Sequence, residues 1–370
     1  MIMKALPKIA LGTWSWGAGF AGGDKVFGNK LTEAQMKDVF DTAMRDGLNL
    51  WDTAAVYGMG SSETELGKLV RQYPKGSVIV STKFTPQIVD EKSTAPMADM
   101  LAASLERLGV DTIDIYWIHN AHDVERWTPM LVPLLKSGKI QRVGVSNHNL
   151  AQIKRANEIL GEAGYRINAV QNHYSLLYRH SEESGVLDYC RQNDITFFAY
   201  MVLEQGALSG RYSPEHPLPE GSQRAETYNK VLPQLQKLTD AMAAIGKPQG
   251  ASAAQVAIAW AIAKGTLPLI GATKVHHVTD AAQAAELSLT AEQIATLERL
   301  AKETGVDTRG GWEEIARNSS AWRNTIWIRP WPRRPCRPRW GWPPICPPGA
   351  RPSRTGISPT TAGHRSRRTP

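Results

Sequence analysis

Four residues of this chain have types and spacing that could do acid–base chemistry together. They are Asp52 and Tyr57 in LWDTAAVYG, Lys83 in VSTKF, and His119 in YWIHN. A phenol is a poor acid at neutral pH because its ordinary pKa is about 10. A nearby ammonium favours the phenolate and lowers that value, and Lys83 is expected to do this for Tyr57. A buried lysine needs a counter-charge, which Asp52 can supply. His119 can then hydrogen-bond a carbonyl oxygen and orient it. The set amounts to a donor aimed at an oxygen that gains negative charge. No nucleophile and no metal-ligand set accompanies it, so the chemistry indicated is hydride addition to a polarised carbonyl from a cofactor. Taken singly, each residue has a plainer reading: a satisfied strand-end histidine, a solvated lysine, a loop aromatic, an aspartate capping a turn. The ordered set is what lifts all four.

Elements must bring these residues together. Eight short apolar runs read as strands: Ile9–Thr13, Leu48–Asp52, Val78–Lys83, Ile113–His119, Ile140–Ser146, Ile167–Gln171, Ile195–Tyr200 and Leu267–Gly271. Most are near-continuous, as strands buried on both faces should be. Helical patterns lie between them. Thr32 and Gln35 form a capping box before a stripe of Met36, Val39, Phe40, Ala43 and Met44, with Gly47 as the stop. Thr290 and Gln293 open a late helix carrying Ile294, Leu297 and Leu300. The gap after the seventh run is longer and must hold an insertion. Alternating β and α units leave a doubly wound sheet or a closed barrel, and eight units favour a single-domain (β/α)8 TIM barrel. No GxGxxG follows the first strand, which weakens the open-sheet alternative.

In such a barrel the reactive groups stand where strands end at the C-terminal face. The remaining strand ends are Gly12-Thr13-Trp14, Ser146-Asn147, Gln171-Asn172, Tyr200 and Gly271-Ala272-Thr273-Lys274. Trp14, Trp16, Trp117 and Trp127 fall near the loops of that face, either lining a substrate pocket or packing beneath the loops. His122, His148, His173 and His180 read as surface or packing residues.

Over roughly residues 5–315 the chain resembles the aldo-keto reductase family. The resemblance is carried by DTAxxYG at Asp52–Gly58, GSSETELG after it, the STK, IHN, GVSN and VQN strand ends, AYxxLxQGxLxGxY from Ala199 to Tyr212, and the late GATK. It implies an NADPH-dependent oxidoreductase that reduces a small-molecule aldehyde or ketone, with Asp52, Tyr57, Lys83 and His119 as catalytic residues and Tyr57 as general acid. Gly12, Thr13 and Trp14 would lie along the cofactor. Ser146, Asn147 and Gln171 would hold the nicotinamide carboxamide, and Tyr200 would stack on its ring. Residues 202–212 and 271–277 would wrap the pyrophosphate and adenosine, with Gly271, Thr273, Lys274 and His277 at the phosphate end. A cation beside the extra phosphate favours NADPH over NADH. His277 stands where many members carry an arginine, Ala281 where many carry an asparagine, and AYMVLEQG replaces the commoner AYSPLxQG. The alternative is an accessory or sensor subunit that binds NADPH and turns over little.

Composition qualifies this picture at one end. The net charge of the 370-residue chain is +8, yet residues 318–370 hold eleven Arg and no Lys, Asp or Glu, which leaves residues 1–317 at −3. The barrel is assigned to 1–317. Residues 318–370, rich in Arg, Pro, Trp and Gly, read as a disordered basic tail. Three readings of it stand: a cationic arm for nucleic acid or anionic lipid, an extension without a role, or an out-of-frame translation of GC-rich DNA, which the composition favours. A nucleic-acid partner is therefore expected, if anywhere, only through the tail. Three cysteines without a CxxC pair argue against a disulfide framework or a zinc site. No apolar run is long enough to cross a bilayer and no secretory leader is evident, so a cytoplasmic location is the expectation.

Overall fold

The computed structural model describes residues 3–28 and 30–310. The expected disordered tail at 318–370 lies outside the described residues. Eight parallel strands close into a barrel in sequence order: β1 Ala10–Gly12, β2 Leu50–Asp52, β3 Ile79–Phe84, β4 Ile113–Ile118, β5 Ile140–Ser146, β6 Ala169–His173, β7 Thr196–Tyr200 and β8 Leu267–Gly271. All eight expected strands are present. β6 differs most, starting two residues later and running on through Asn172 and His173. Those polar residues are paired with Ala199 and Tyr200 of β7, so backbone pairing overrides their low strand propensity.

Alternation along the strands builds two apolar layers. Ala10, Leu50, Ile79, Ile115, Trp117, Ala169, Phe198 and Leu267 fill the barrel interior. Their neighbours point outward to the helices. Trp51, for example, stacks on Phe40 of the helix Glu33–Arg45 at 4.8 Å between ring centroids. That helix and Ala291–Glu303 both begin with the expected capping boxes, at Thr32 with Gln35 and at Thr290 with Gln293. Met36, Val39, Phe40 and Ala43 are buried, as are Leu297 and Leu300. The insertion after β7 holds the short helix Gln223–Tyr228 and the helix Leu232–Gly246, ahead of the buried helix Ala253–Ala263. No helix among the described residues is long and apolar enough to cross a membrane.

Register places the functional strand ends side by side. Gly12 is level with both Asp52 and Gly271, Asp52 with Ser81, and Ser146 with Gln171. Residues far apart in sequence thus meet at one mouth.

Candidate active site

Lys83 and Asp52 lie inside the barrel as a fully buried ion pair. The Lys83 ammonium also donates to the Thr53 carbonyl at 2.7 Å. Asp52 accepts from Ser81 Oγ at 2.6 Å and from Gln171 Nε2 at 3.4 Å. Trp117 Nε1 donates to Ser81 Oγ at 2.6 Å, which holds that hydroxyl on the carboxylate. Two charges taken out of water are tolerable only when geometry is good and the remaining lone pairs are used, and both conditions hold here. Burial pushes the Lys83 pKa down, while the Asp52 charge opposes that.

Tyr57 follows on a turn that only glycine can make at its next position. Gly58 has φ +57, and a Cβ there would meet Ser61 Oγ at 2.0 Å and the Ala18 carbonyl at 2.6 Å. The Lys83 ammonium sits 5.2 Å from the Tyr57 ring centroid. The expected lowering of the phenol pKa by Lys83 is not what this arrangement produces. Burial, and then the Asp52 charge, raise the Tyr57 pKa well above its ordinary value. The physical reason is that Lys83 is already paired with Asp52, so its reduced field at the phenol no longer outweighs the desolvation of the phenolate. The phenol therefore holds its proton firmly.

His119 ends β4 with its ring 5.7 Å from that of Tyr57, edge-on at 78°. Burial, and then the charge of Lys83, press its pKa well below the ordinary histidine value, so the imidazole is neutral. Its Nδ1 lies 2.8 Å from Thr85 Oγ1. A threonine hydroxyl donating to Nδ1 leaves the proton on Nε2, which makes a neutral ring a hydrogen-bond donor. Trp14 stacks on Tyr57 at 5.4 Å, and Phe27 packs edge-on against Trp14 at 5.1 Å, giving the mouth an aromatic wall.

The residues expected along the cofactor fall into two groups. At the catalytic end, Tyr200 donates to Asn147 Oδ1 at 2.6 Å, and Asn147 Nδ2 donates to the His119 carbonyl at 2.9 Å and lies 3.2 Å from Ser146 Oγ. Thr13 is fully buried and spends its hydroxyl on the Asp52 carbonyl and Ser62, so it braces the mouth rather than offering a free group. At the far end, Thr273, Lys274 and His277 gather with Arg211, Arg224 and His276. His277 Nδ1 is 3.3 Å from Thr273 Oγ1. Burial, followed by His276, Lys274, Arg211 and Arg224, lowers the His277 pKa to about 4. Arg224 Nε is buried without a hydrogen-bond partner. Cations gathered at one end of the mouth, one of them with an unused guanidinium donor, have the chemistry of an anion site.

The sequence matches the model of the Aldo/keto reductase family over residues 8–302. The chain belongs to this family. Membership makes it an oxidoreductase of a family that works with a nicotinamide cofactor. It is 31% identical over 313 residues to a chloroplastic pyridoxal reductase of Arabidopsis thaliana, covering 80% of this chain and 83% of that one. It is 29% identical to an aldo-keto reductase of Strobilurus tenacellus, covering 80% and 90%. Among solved structures, a glycerol dehydrogenase from Gluconobacter oxydans superposes with a TM-score of 0.66 at 25% identity, covering 84% of this chain and 96% of that one. An aldo/keto reductase from Klebsiella pneumoniae in complex with NADP and acetate superposes with a TM-score of 0.62 at 26% identity, covering 80% and 92%.

Within this family member the four tryptophans separate. Only Trp14 stands on Tyr57. Trp117 is interior core against Phe198, Trp16 packs on Trp51 and donates to the Ala272 carbonyl, and Trp127 packs on Phe84. Ala281 is fully buried and serves packing. Sequence reasoning missed Thr85, Ser81 and Arg224, and it set aside His173, which is buried beside Tyr200. A threonine two residues beyond the lysine of STK was visible as a hydroxyl one strand away from IHN. Nothing in the spacing marked Arg224.

Proposed function

We propose that residues 1–317 form an NADPH-dependent carbonyl reductase that converts an aldehyde or ketone to the alcohol, with Tyr57 as general acid. The observation that carries this reading is the pairing of a firmly protonated phenol with a neutral imidazole, side by side over the buried Lys83–Asp52 pair. NADPH, when bound, supplies the hydride that the carbonyl carbon accepts. Nε2–H of His119 holds and polarises the carbonyl oxygen. As negative charge grows on that oxygen, the Tyr57 hydroxyl gives it a proton. Lys83 then stabilises the phenolate left behind, a task for which an ammonium 5.2 Å from the ring is suitably close. Asp52 keeps Lys83 charged in its dry site.

Tyr200, Ser146, Asn147 and Gln171 would receive the nicotinamide. The cations of Lys274, Arg211 and Arg224, with Thr273 and His277, would receive the phosphates, which supports NADPH over NADH. The Klebsiella relative with NADP supports the same choice. The aromatic wall of Trp14 and Phe27 suits a carbonyl compound with an apolar face. The test is Tyr57→Phe. It should abolish reduction across an aldehyde panel while NADPH still quenches intrinsic fluorescence as in the parent. Full activity in that variant would sink the mechanism.

A further inference from the structure

The loop after β7 contains a buried carboxylate that the chemistry above does not use. Glu204 is fully buried. It accepts from Ser175 Oγ, from His173 Nε2 at 2.8 Å, from Tyr228 OH at 2.7 Å and from Thr308 Oγ1 at 2.9 Å. These donors come from the end of β6, the segment just beyond it, the helix Gln223–Tyr228 and the segment after the last described helix. The loop they pin is a strained one: Met201, Glu204 and Gln205 have φ of +62, +47 and +54. Non-glycine residues hold such backbone only where surrounding contacts over-determine it.

The contact with His173 leads back to the catalytic mouth. A carboxylate only accepts, so Nε2 carries the hydrogen and the ring plane is fixed. In that plane the ring of His173 stacks near-parallel to Tyr178, at 4.4 Å and 27°, and to Tyr200, at 5.6 Å and 24°. Tyr200 in turn donates to Asn147, which donates to the His119 carbonyl. A continuous line of contacts runs from Glu204 to the histidine that orients the substrate.

We propose that Glu204 and His173 are positioning residues that brace Tyr200 from behind, fixing the platform on which the nicotinamide ring is set. This rests on the reading of Tyr200 as the ring that meets the nicotinamide. His173 touches only the nicotinamide end of the cofactor, whereas Glu204 also holds, through Tyr228, the helix that carries Arg224 of the phosphate cluster, so His173 gives the clean test of the brace. Its signature is therefore selective.

The experiment measures binding of NADPH and of adenosine 2′,5′-bisphosphate to the full chain and to Glu204→Ala, Glu204→Gln, His173→Ala and Tyr200→Ala. Single-turnover hydride transfer is followed in parallel. Loss of an aromatic brace should weaken NADPH about tenfold in Glu204→Ala and His173→Ala. In His173→Ala adenosine 2′,5′-bisphosphate should bind as in the parent, and hydride transfer should slow. Glu204→Gln keeps an acceptor at Oε1 and should stay near the parent in both. Equal weakening of NADPH and the bisphosphate in His173→Ala would overturn the proposal. Tyr200→Ala separates the two readings. If it loses NADPH selectively while His173→Ala does not, the brace is wrong and the platform stands. If Tyr200→Ala shows no selective loss, the platform reading falls and takes the brace with it.

Discussion

At the scale of residues, the proposed mechanism depends on keeping both hydrogen donors, Tyr57 and His119, uncharged. Burial raises the Tyr57 pKa and lowers that of His119, so both shifts favour the neutral forms. For Tyr57 the active form is the protonated one, and a raised pKa moves its loss to more alkaline pH. For His119 the active form is the neutral one, and a lowered pKa moves its loss to more acidic pH. With saturating cofactor, kcat/KM for reduction should therefore be flat across the interval between the ordinary histidine and tyrosine values, about pH 6.5 to about pH 10. An inflection near 6.5 would show that His119 titrates normally. The neutral ring must also carry its hydrogen on Nε2, the tautomer that follows when the Thr85 hydroxyl, 2.8 Å away, donates to Nδ1. Thr85→Val keeps the shape and removes the donor, leaving a buried Nδ1 unsatisfied. It should lower kcat/KM by about tenfold at unchanged NADPH affinity, and Thr85→Ser should restore it. A valine variant as fast as the parent would remove Thr85 from the mechanism.

At the scale of elements, much of this was legible because a barrel strand is buried on both faces and so reads as an unbroken apolar run. β5 and β8 begin and end where the pattern predicts. β6 was truncated in the reading because Asn172 and His173 break the apolar run, and only their pairing with β7 extends it. The strand-end residues Asp52, Lys83 and His119 were readable for the same topological reason. Glu204 was not, because its partners at 173, 175, 228 and 308 obey no local spacing and meet only after the fold closes. The sign of the Tyr57 shift was not legible either: it depends on Lys83 being spent on Asp52, which is a matter of distance rather than of sequence order. Strand packing makes its own prediction at Gly144 of β5. A Cβ there would come 2.0 Å from the ring of Trp117 on neighbouring β4, both deep in the barrel wall. Gly144→Ala should cost about 3 kcal/mol of unfolding free energy by forcing that ring off its rotamer. Trp117→Leu in the same background should return part of the loss. An alanine variant with the parent's urea midpoint would mean the ring moves freely.

At the scale of the whole molecule, charge and chemistry are carried by different stretches of chain. Residues 1–317 carry −3, and the eleven arginines of 318–370 turn the total to +8. The family model ends at residue 302, and every catalytic or cofactor-facing side chain named above lies before residue 278. Thr308, which donates to Glu204 at 2.9 Å, is the furthest point at which a described side chain touches the machinery. A chain stopped after Arg317 keeps that contact, so it should reduce aldehydes with the parent's kcat and KM. Its retention on an anionic matrix such as heparin should fall sharply, because the arginines that make the chain cationic are gone and the remaining charge has the same sign as the matrix. Stopping instead after Val306 removes Thr308 as a donor to a fully buried carboxylate and should slow hydride transfer as well. The two cuts separate the roles by eleven residues. If the cut after Arg317 abolished reduction, the catalytic unit would extend into the arginine-rich stretch. If it left heparin retention unchanged, the cationic surface would belong to the barrel.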